Sequence, residues 1–213
     1  MEHELELREF TIRSAKELGL IVGEIHAEQF MYYLVHLIEW NKSINLTAII
    51  DPRKIIIKHF LDSLVGLVTT SFPKNAVVLD VGSGGGFPGI PLKIMRSDLR
   101  LTLVEPIQKK CSFLNSVIGV LKLQNVSTFC GTIEQYTKQS ISNTIDMVVI
   151  RALKFEEIRK HLPGLLNSKG KVLLYRTENI KEQDIGEKFH LMNETAIILP
   201  EGSGKRVVTV IQI

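Results

Sequence analysis

The chain has 213 residues, with 26 Lys and Arg against 23 Asp and Glu for a formal charge of +3, and 45% of its residues are hydrophobic. A chain this long buries roughly 70% of its unfolded surface without metal or disulfide staples, and the composition excludes a disordered tail protein. Two cysteines, Cys111 and Cys130, are too few for a disulfide framework or a zinc site; they are expected as small buried apolar side chains, and no metal is expected.

The N-terminus, Met1-Glu2-His3-Glu4-Leu5-Glu6, is acidic, whereas a secretory signal starts basic and then runs apolar, so the chain is read as cytoplasmic. Residues 1–72 read as a helical extension. Between 24 and 44, Phe30, Tyr33, Leu34, Leu37 and Ile38 mark one buried helix face. Asp51-Pro52 is a helix start, because Asp caps free N–H groups and Pro tolerates the first turn. The helix that follows is predicted to bury Ile56, Phe60, Leu64, Leu67 and Val68 and to end at Phe72-Pro73. Its apolar stretch, 55–68, is interrupted by Lys58, His59 and Asp62 and is shorter than the ~20 residues of a membrane span. No membrane partner is expected.

Residues 73–213 read as a second unit with a different grammar. β-rich runs fall at 76–81, 99–105, 125–130, 146–150, 171–176, 195–199 and 207–213. Helical stretches at 88–96, 109–122, 133–139 and 155–166 separate the first five, the pattern of βαβ units and a parallel sheet. The last two runs are joined by Pro200 to Lys205, too short for a crossover helix, which predicts an antiparallel hairpin. The expected fold is therefore α/β: a Rossmann-like, seven-stranded, mostly parallel sheet with a C-terminal antiparallel hairpin.

The strongest local signal is Asp80-Val81-Gly82-Ser83-Gly84-Gly85-Gly86-Phe87-Pro88-Gly89. A buried strand runs into a loop without side chains, at the first strand-to-helix turn, where open parallel sheets bind ligands. Gly84 to Gly89 matches G-x-G-x-x-G, which suggests a dinucleotide and leaves a nicotinamide-dependent oxidoreductase as one reading. Counted from Gly82, the glycine that meets the strand, the spacing is instead Asp80-x-Gly82-x-Gly84-x-Gly86. An acidic residue there repels a pyrophosphate but pairs with the ammonium of a methionine moiety. Glu105 closes the next predicted strand, where it can accept both ribose hydroxyls of an adenosine. This phase and the terminal hairpin favour S-adenosyl-L-methionine.

The acceptor is narrowed by what is missing. The fourth predicted strand ends in Ile150-Arg151-Ala152-Leu153, not in the Asn/Asp-Pro-Pro-aromatic turn usual for methylation of exocyclic amines. Neither cysteine sits in the Pro-Cys loop that carbon-five methylation of a pyrimidine requires. A guanine N7 fits, because its lone pair attacks a sulfonium methyl with no proton to remove. Catalysis then rests on proximity and alignment, and no residue is expected to serve as a general base.

At this point the residues carry a resemblance. Glu39-Trp40-Asn41-Lys42, Asn45-Leu46-Thr47, Asp51-Pro52, His59 with Asp62-Ser63, and Asp80 to Pro91 are similar to the bacterial ribosomal RNA small subunit methyltransferase G family, also called glucose-inhibited division protein B. The match continues through Lys109-Lys110, Phe113-Leu114, Ile133-Glu134, Arg151-Ala152 and Leu162-Pro163-Gly164. The resemblance implies a class I S-adenosylmethionine-dependent methyltransferase domain with an N-terminal helical extension, methylating N7 of a guanosine in 16S rRNA of the small ribosomal subunit; a monomer is expected. The candidate cofactor contacts are Asp80, Gly82, Ser83, Gly84, Phe87, Glu105, Ile133, Glu134 and Arg151, of which the resemblance implies Gly82, Phe87, Ile133-Glu134 and Arg151. Ile133 would pack on the adenine, Glu134 or its neighbouring backbone would face the exocyclic amine, and Arg151 would position cofactor or substrate.

Lys42, Lys109, Lys110, Arg176, Lys205 and Arg206 are the candidate RNA contacts. Two places depart from the family pattern: Tyr175-Arg176-Thr177 stands where Leu-Lys-Gly is common, and Lys205-Arg206-Val207 where a His often follows a basic residue. The first departure keeps open a catalytically silent ribosome-binding protein. His59 and Asp62 share a helix face as a capping or inter-domain hydrogen-bonding pair, and Trp40 reads as core rather than as a stacking platform for a flipped base.

Overall fold

The computed structural model describes residues 2–213. Helices α1 (Glu2–Glu17) and α2 (Glu24–Asn41) precede α3 (Pro52–Ile55), which runs through a π-helical turn (Ile56–Leu61) into α4 (Asp62–Thr69). Then follow β1 (Val77–Val81), α5 (Gly89–Met95), β2 (Arg100–Glu105), α6 (Gln108–Val120), β3 (Val126–Cys130), α7 (Ile133–Gln139), β4 (Ile145–Arg151) and α8 (Phe155–Ile158). The chain ends with β5 (Leu166–Arg176), α9 (Glu182–Ile185), β6 (His190–Ile198) and β7 (Lys205–Gln212). The seven strands lie in the order β3-β2-β1-β4-β5-β7-β6, with β1 to β5 parallel and β7 antiparallel between β5 and β6. The expected parallel sheet and terminal hairpin are both present.

Period-two alternation splits the core. Val78, Leu101, Leu103, Met147, Val149, Leu173, Val208 and Val210 face the N-terminal helices and pack with Phe10, Phe30, Tyr33, Leu37 and Phe60. Leu79, Val81, Val104, Val148, Ile150, Val172, Leu174 and Ile211 face the other way, onto Phe155, Leu162 and Phe189. The N-terminal helices therefore complete the sheet's core rather than forming one of their own. Extending the alternation by one step puts Asp80, Glu105, Arg151, Tyr175 and Arg206 on the helix-covered face, at the carboxyl ends of the parallel strands and the start of β7.

Three expectations are corrected. Leu67 is only half-buried and Val68 is exposed, whereas Leu61 and Val65 are buried. The π turn at Ile56–Leu61 interrupts the α-helical period, so the buried face after it does not continue the expected stripe. The helix expected over 155–166 stops early and passes through a 3-10 turn (Arg159–His161); Pro163 has no N–H to carry it on, and Leu165 and Leu166 close back onto Leu162. Cys111 and Cys130 are not independent thiols but are joined as a disulfide. Parallel pairing sets Cys130 beside Glu105, and α6 begins three residues after Glu105, which brings Cys111 over Cys130 with 5.8 Å between Cα atoms. Their 19-residue separation carries no hint of that register.

Candidate active site

The carboxyl ends of β1, β2 and β4 enclose a cleft of about 440 Å³. Its floor is Gly82 and Gly84; its walls are Glu105, Pro106, Ile107 and Lys110 on one side, Gly131, Thr132 and Ile133 on a second, and Arg151, Ala152 and Leu153 on a third. Gly82 has φ +74°, and a Cβ there would run into Leu153, so glycine is needed for both conformation and space. Ala152 holds φ +64° immediately after β4, strained backbone of the kind that collects at functional sites. Thr132 opens α7 with a capping box: its hydroxyl accepts from Gln135 N and the Gln135 side chain accepts from Thr132 N. Clefts of about 740 and 760 Å³ lie at 180–191 and beside Asp146 and Lys171, away from the glycine loop.

Two carboxylates organise the loop. Glu105 accepts Gly84 N at 2.8 Å on Oε2 and Ile107 N at 3.0 Å on Oε1, tying the end of β2 to the glycines. Asp80 is wholly buried; its Oδ2 accepts Gly89 N at 2.8 Å and its Oδ1 has no partner. Burial pushes the Asp80 carboxyl up to about 7, against the pull of the Gly89 N–H and of Arg151. This arrangement argues against the dinucleotide reading, because Asp80 already occupies the N–H that opens α5, where a pyrophosphate would have to sit.

Phe87 lies beneath the cleft. It stacks on His59 with ring centroids 4.7 Å apart and on Tyr33 at 5.5 Å, and the Arg151 guanidinium lies 4.9 Å from its ring centre. The Tyr33 hydroxyl donates to Gly85 O, so α2 anchors the loop directly. The Trp40-Asn41 motif supports this stack. Asn41 Oδ1 accepts Leu46 N and Thr47 N, its Nδ2 donates to Thr47 O, and Thr47 Oγ1 is hydrogen-bonded to His59 Nε2 at 2.6 Å. Burial, with Arg151 nearby, drives the His59 pKa down to about 3, so the ring is neutral. Trp40 is half-buried against Phe113 and His36.

Of the residues proposed from sequence, Gly82, Gly84, Glu105, Ile133 and Arg151 line the cleft. Asp80, Ser83 and Phe87 lie behind it; the Ser83 hydroxyl donates to Asp80 O at 3.1 Å and shapes the loop. The Glu134 carboxylate turns outward to Lys138 at 3.0 Å, because the second residue of α7 faces solvent, so its side chain does not reach the cleft. Arg206 is not a free surface cation: it grips buried Asp62 through Nε–Oδ1 at 2.5 Å and Nη2–Oδ2 at 2.6 Å. Arg151 Nη1 joins the same carboxylate at 3.3 Å. Burial pulls the Arg151 pKa down, and Asp62 opposes that. Lys110 borders the cleft, whereas Lys109 and Lys205 are exposed and Lys42, just past the end of α2, pairs with Glu39 at 2.6 Å. Tyr175, at the first departure, is buried and donates to Ser63 O at 2.8 Å, in a space that Gly66 leaves open. Sequence reasoning missed the joint role of Asp62 and Arg206, 144 positions apart, and the cleft walls at Pro106, Ile107, Thr132 and Leu153. The Thr132-x-x-Gln135 capping signature was a usable signal for the third wall.

A family model described as rRNA small subunit methyltransferase G matches residues 26–199. The ribosomal RNA small subunit methyltransferase G of Desulforamulus reducens is 43% identical over 142 residues, 66% of this chain and 59% of that protein. The protein of the same name in Staphylococcus saprophyticus is 31% identical over 201 residues, 91% of this chain and 84% of that one. The matches to several such relatives thus span about 59% of the relatives' length. Among solved structures, a SAM dependent methyltransferase from Aquifex aeolicus aligns with a TM-score of 0.55 at 14% identity, over 76% of this chain and 94% of that one. A mutant of MtNAS in complex with S-adenosylmethionine aligns with a TM-score of 0.55 at 13% identity, over 99% and 75%. At such identities the likeness is one of fold, and the fold is that of the S-adenosylmethionine-dependent methyltransferases.

Proposed function

The chain belongs to the rRNA small subunit methyltransferase G family, and on that premise we propose that it transfers a methyl group from S-adenosylmethionine to N7 of a guanosine in 16S rRNA. The observation that carries this reading is Asp80: a wholly buried carboxylate behind a glycine-floored cleft, with one oxygen unpartnered and no cation in contact. Such a group is costly unless a ligand completes it, and an ammonium is the complement of a carboxylate.

The residues present fit the cofactor. Asp80 takes the amino-acid ammonium, Gly82 lets the ligand approach the backbone, and Glu105 offers its remaining lone pairs to the ribose hydroxyls. Ile133 packs on the adenine, and the Glu134 backbone rather than its carboxylate faces the exocyclic amine. Bound, the sulfonium supplies an electrophilic methyl and leaves as a neutral thioether, so a nucleophilic ring nitrogen needs no base. The chain's contribution is alignment and exclusion of water, with Phe87 and Arg151 shaping the acceptor side. Lys110 at the cleft rim and exposed Lys205 at the start of β7 are the basic side chains offered to RNA phosphates.

The test is methyl transfer from labelled S-adenosylmethionine to small ribosomal subunits lacking the modification, read by nucleoside mass spectrometry. Label in N7-methylguanosine is the expected result. Label in another nucleoside overturns the acceptor, and cofactor binding without any transfer overturns the enzymatic reading in favour of a silent RNA-binding protein.

A further inference from the structure

Asp62 has no exposed surface, and both of its oxygens are engaged. Arg206, at the start of β7, binds it through two parallel N–H groups, the strongest geometry for a carboxylate. That pair alone neutralises Asp62. Arg151, at the end of β4, nevertheless leans on the same Oδ2, and its Nη1 reaches Lys58 O at 3.4 Å. Two guanidiniums therefore share one carboxylate, and one positive charge has no partner within the group. The two arginine side chains are 13% and 17% exposed, so water screens that charge poorly. Arg151 also lines the cleft and lies over Phe87. A fold that needed only a counter-ion for Asp62 would not hold a second guanidinium against the first.

We infer that Asp62 is a positioning residue for the methyl transfer proposed above: it holds Arg151 and Arg206 as one unit whose surplus positive charge receives an oxyanion of the bound ligands. The inference rests on that reading of the site. The oxyanion has two sources of the same chemistry, the carboxylate of S-adenosylmethionine and a phosphodiester of the RNA.

Asp62→Asn keeps the shape of the side chain and removes its charge. The expected result is a kcat on small ribosomal subunits at least tenfold lower, with S-adenosylhomocysteine still bound; turnover within twofold of the parent overturns the inference. An unbalanced pair of guanidiniums also weakens the fold, so a second variant is needed. The double variant Asp62→Asn with Arg206→Met removes one charge of each sign. It is expected to regain Tm but not turnover, and recovery of both together would reduce Asp62 to a structural counter-ion.

Arg206→Met cancels the surplus charge and separates the two sources. If the oxyanion is the carboxylate, the preference for S-adenosylhomocysteine over methylthioadenosine, which lacks it, falls at least tenfold. If it is the phosphodiester, that preference stays and the slope of log K against log salt for RNA binding drops by about 0.7 to 0.9. Absence of both changes overturns the oxyanion site. These binding readouts need no turnover, so a parent protein that never methylates RNA sinks the methyl-transfer reading while the oxyanion site is still judged on binding alone.

Discussion

Asp62 and Asp80 are both wholly buried on the helix-covered side of the sheet, and their surroundings differ in kind. Asp62 is held by two guanidiniums from two strands. Asp80 receives one backbone N–H, has one oxygen without a partner, and carries a pKa pushed up to about 7. The first carboxylate is complete within the protein and organises other side chains. The second is incomplete, and its incompleteness marks where a ligand belongs.

The largest effect expected from this contrast is on the completed group. Asp62→Ala leaves two guanidiniums facing each other with no counter-ion and is expected to cost about 3–5 kcal/mol in denaturant unfolding. A loss below about 1 kcal/mol would mean that solvent already screens the group.

Asp80→Asn sharpens the contrast by moving in the opposite direction. A carboxyl whose folded pKa is about 7, against 3.8 for the ordinary value, opposes folding once it ionises. In the ligand-free protein the contribution of this group is therefore fully present below about pH 4, is lost as pH rises towards 7, and levels off above it, by up to about 4 kcal/mol. Asp80→Asn is expected to flatten that slope and raise Tm at pH 8 while weakening S-adenosylhomocysteine at least tenfold. A Tm difference between Asp80→Asn and the parent that does not grow in favour of the variant from pH 4 to pH 8 would contradict the assignment.

Gly89→Ala reaches Asp80 indirectly. A Cβ at this position would sit 2.7 Å from Asp80 Oδ2 and 2.8 Å from Leu103 Cδ2. Overpacking of this kind costs about 1–3 kcal/mol, and because Asp80 has to shift, cofactor affinity measured by calorimetry should fall as well. The smallest effect belongs to an exposed carboxylate that meets neither description. Asp51 caps α3 by accepting Lys54 N at 2.8 Å, so Asp51→Ala should cost about 1 kcal/mol and leave cofactor affinity unchanged.

What the sequence conveyed follows from how local each feature is. The strands, the hairpin and the glycine loop depend on residues within about ten positions of one another, and Asp80 and Glu105 are legible because each sits at a fixed place relative to a strand end. The Asp62–Arg206 pair depends on β7 being inserted beside β5, and no local pattern reports that. The Cys111–Cys130 bond depends on the β2–β3 register. The outward turn of the Glu134 carboxylate has a local reason: Lys138, four residues on, pairs with it on the helix surface. The loss of Leu67 and Val68 from the buried face and the gain of Leu61 and Val65 accompany the π turn, which has no distinctive composition.

That turn carries a consequence for how the site can change over evolutionary time. Each residue in a helix advances the facing direction by about 100°, and Ile56–Leu61 holds one residue more than an α-helical path requires. Loss of any one residue there would restore ordinary pitch, keep the helix, and swing Asp62 away from Arg206 without altering the identity of a single side chain. The aim of this carboxylate is thus encoded in a residue count, and insertion or deletion, rather than substitution, is the shortest mutational route to a re-aimed site.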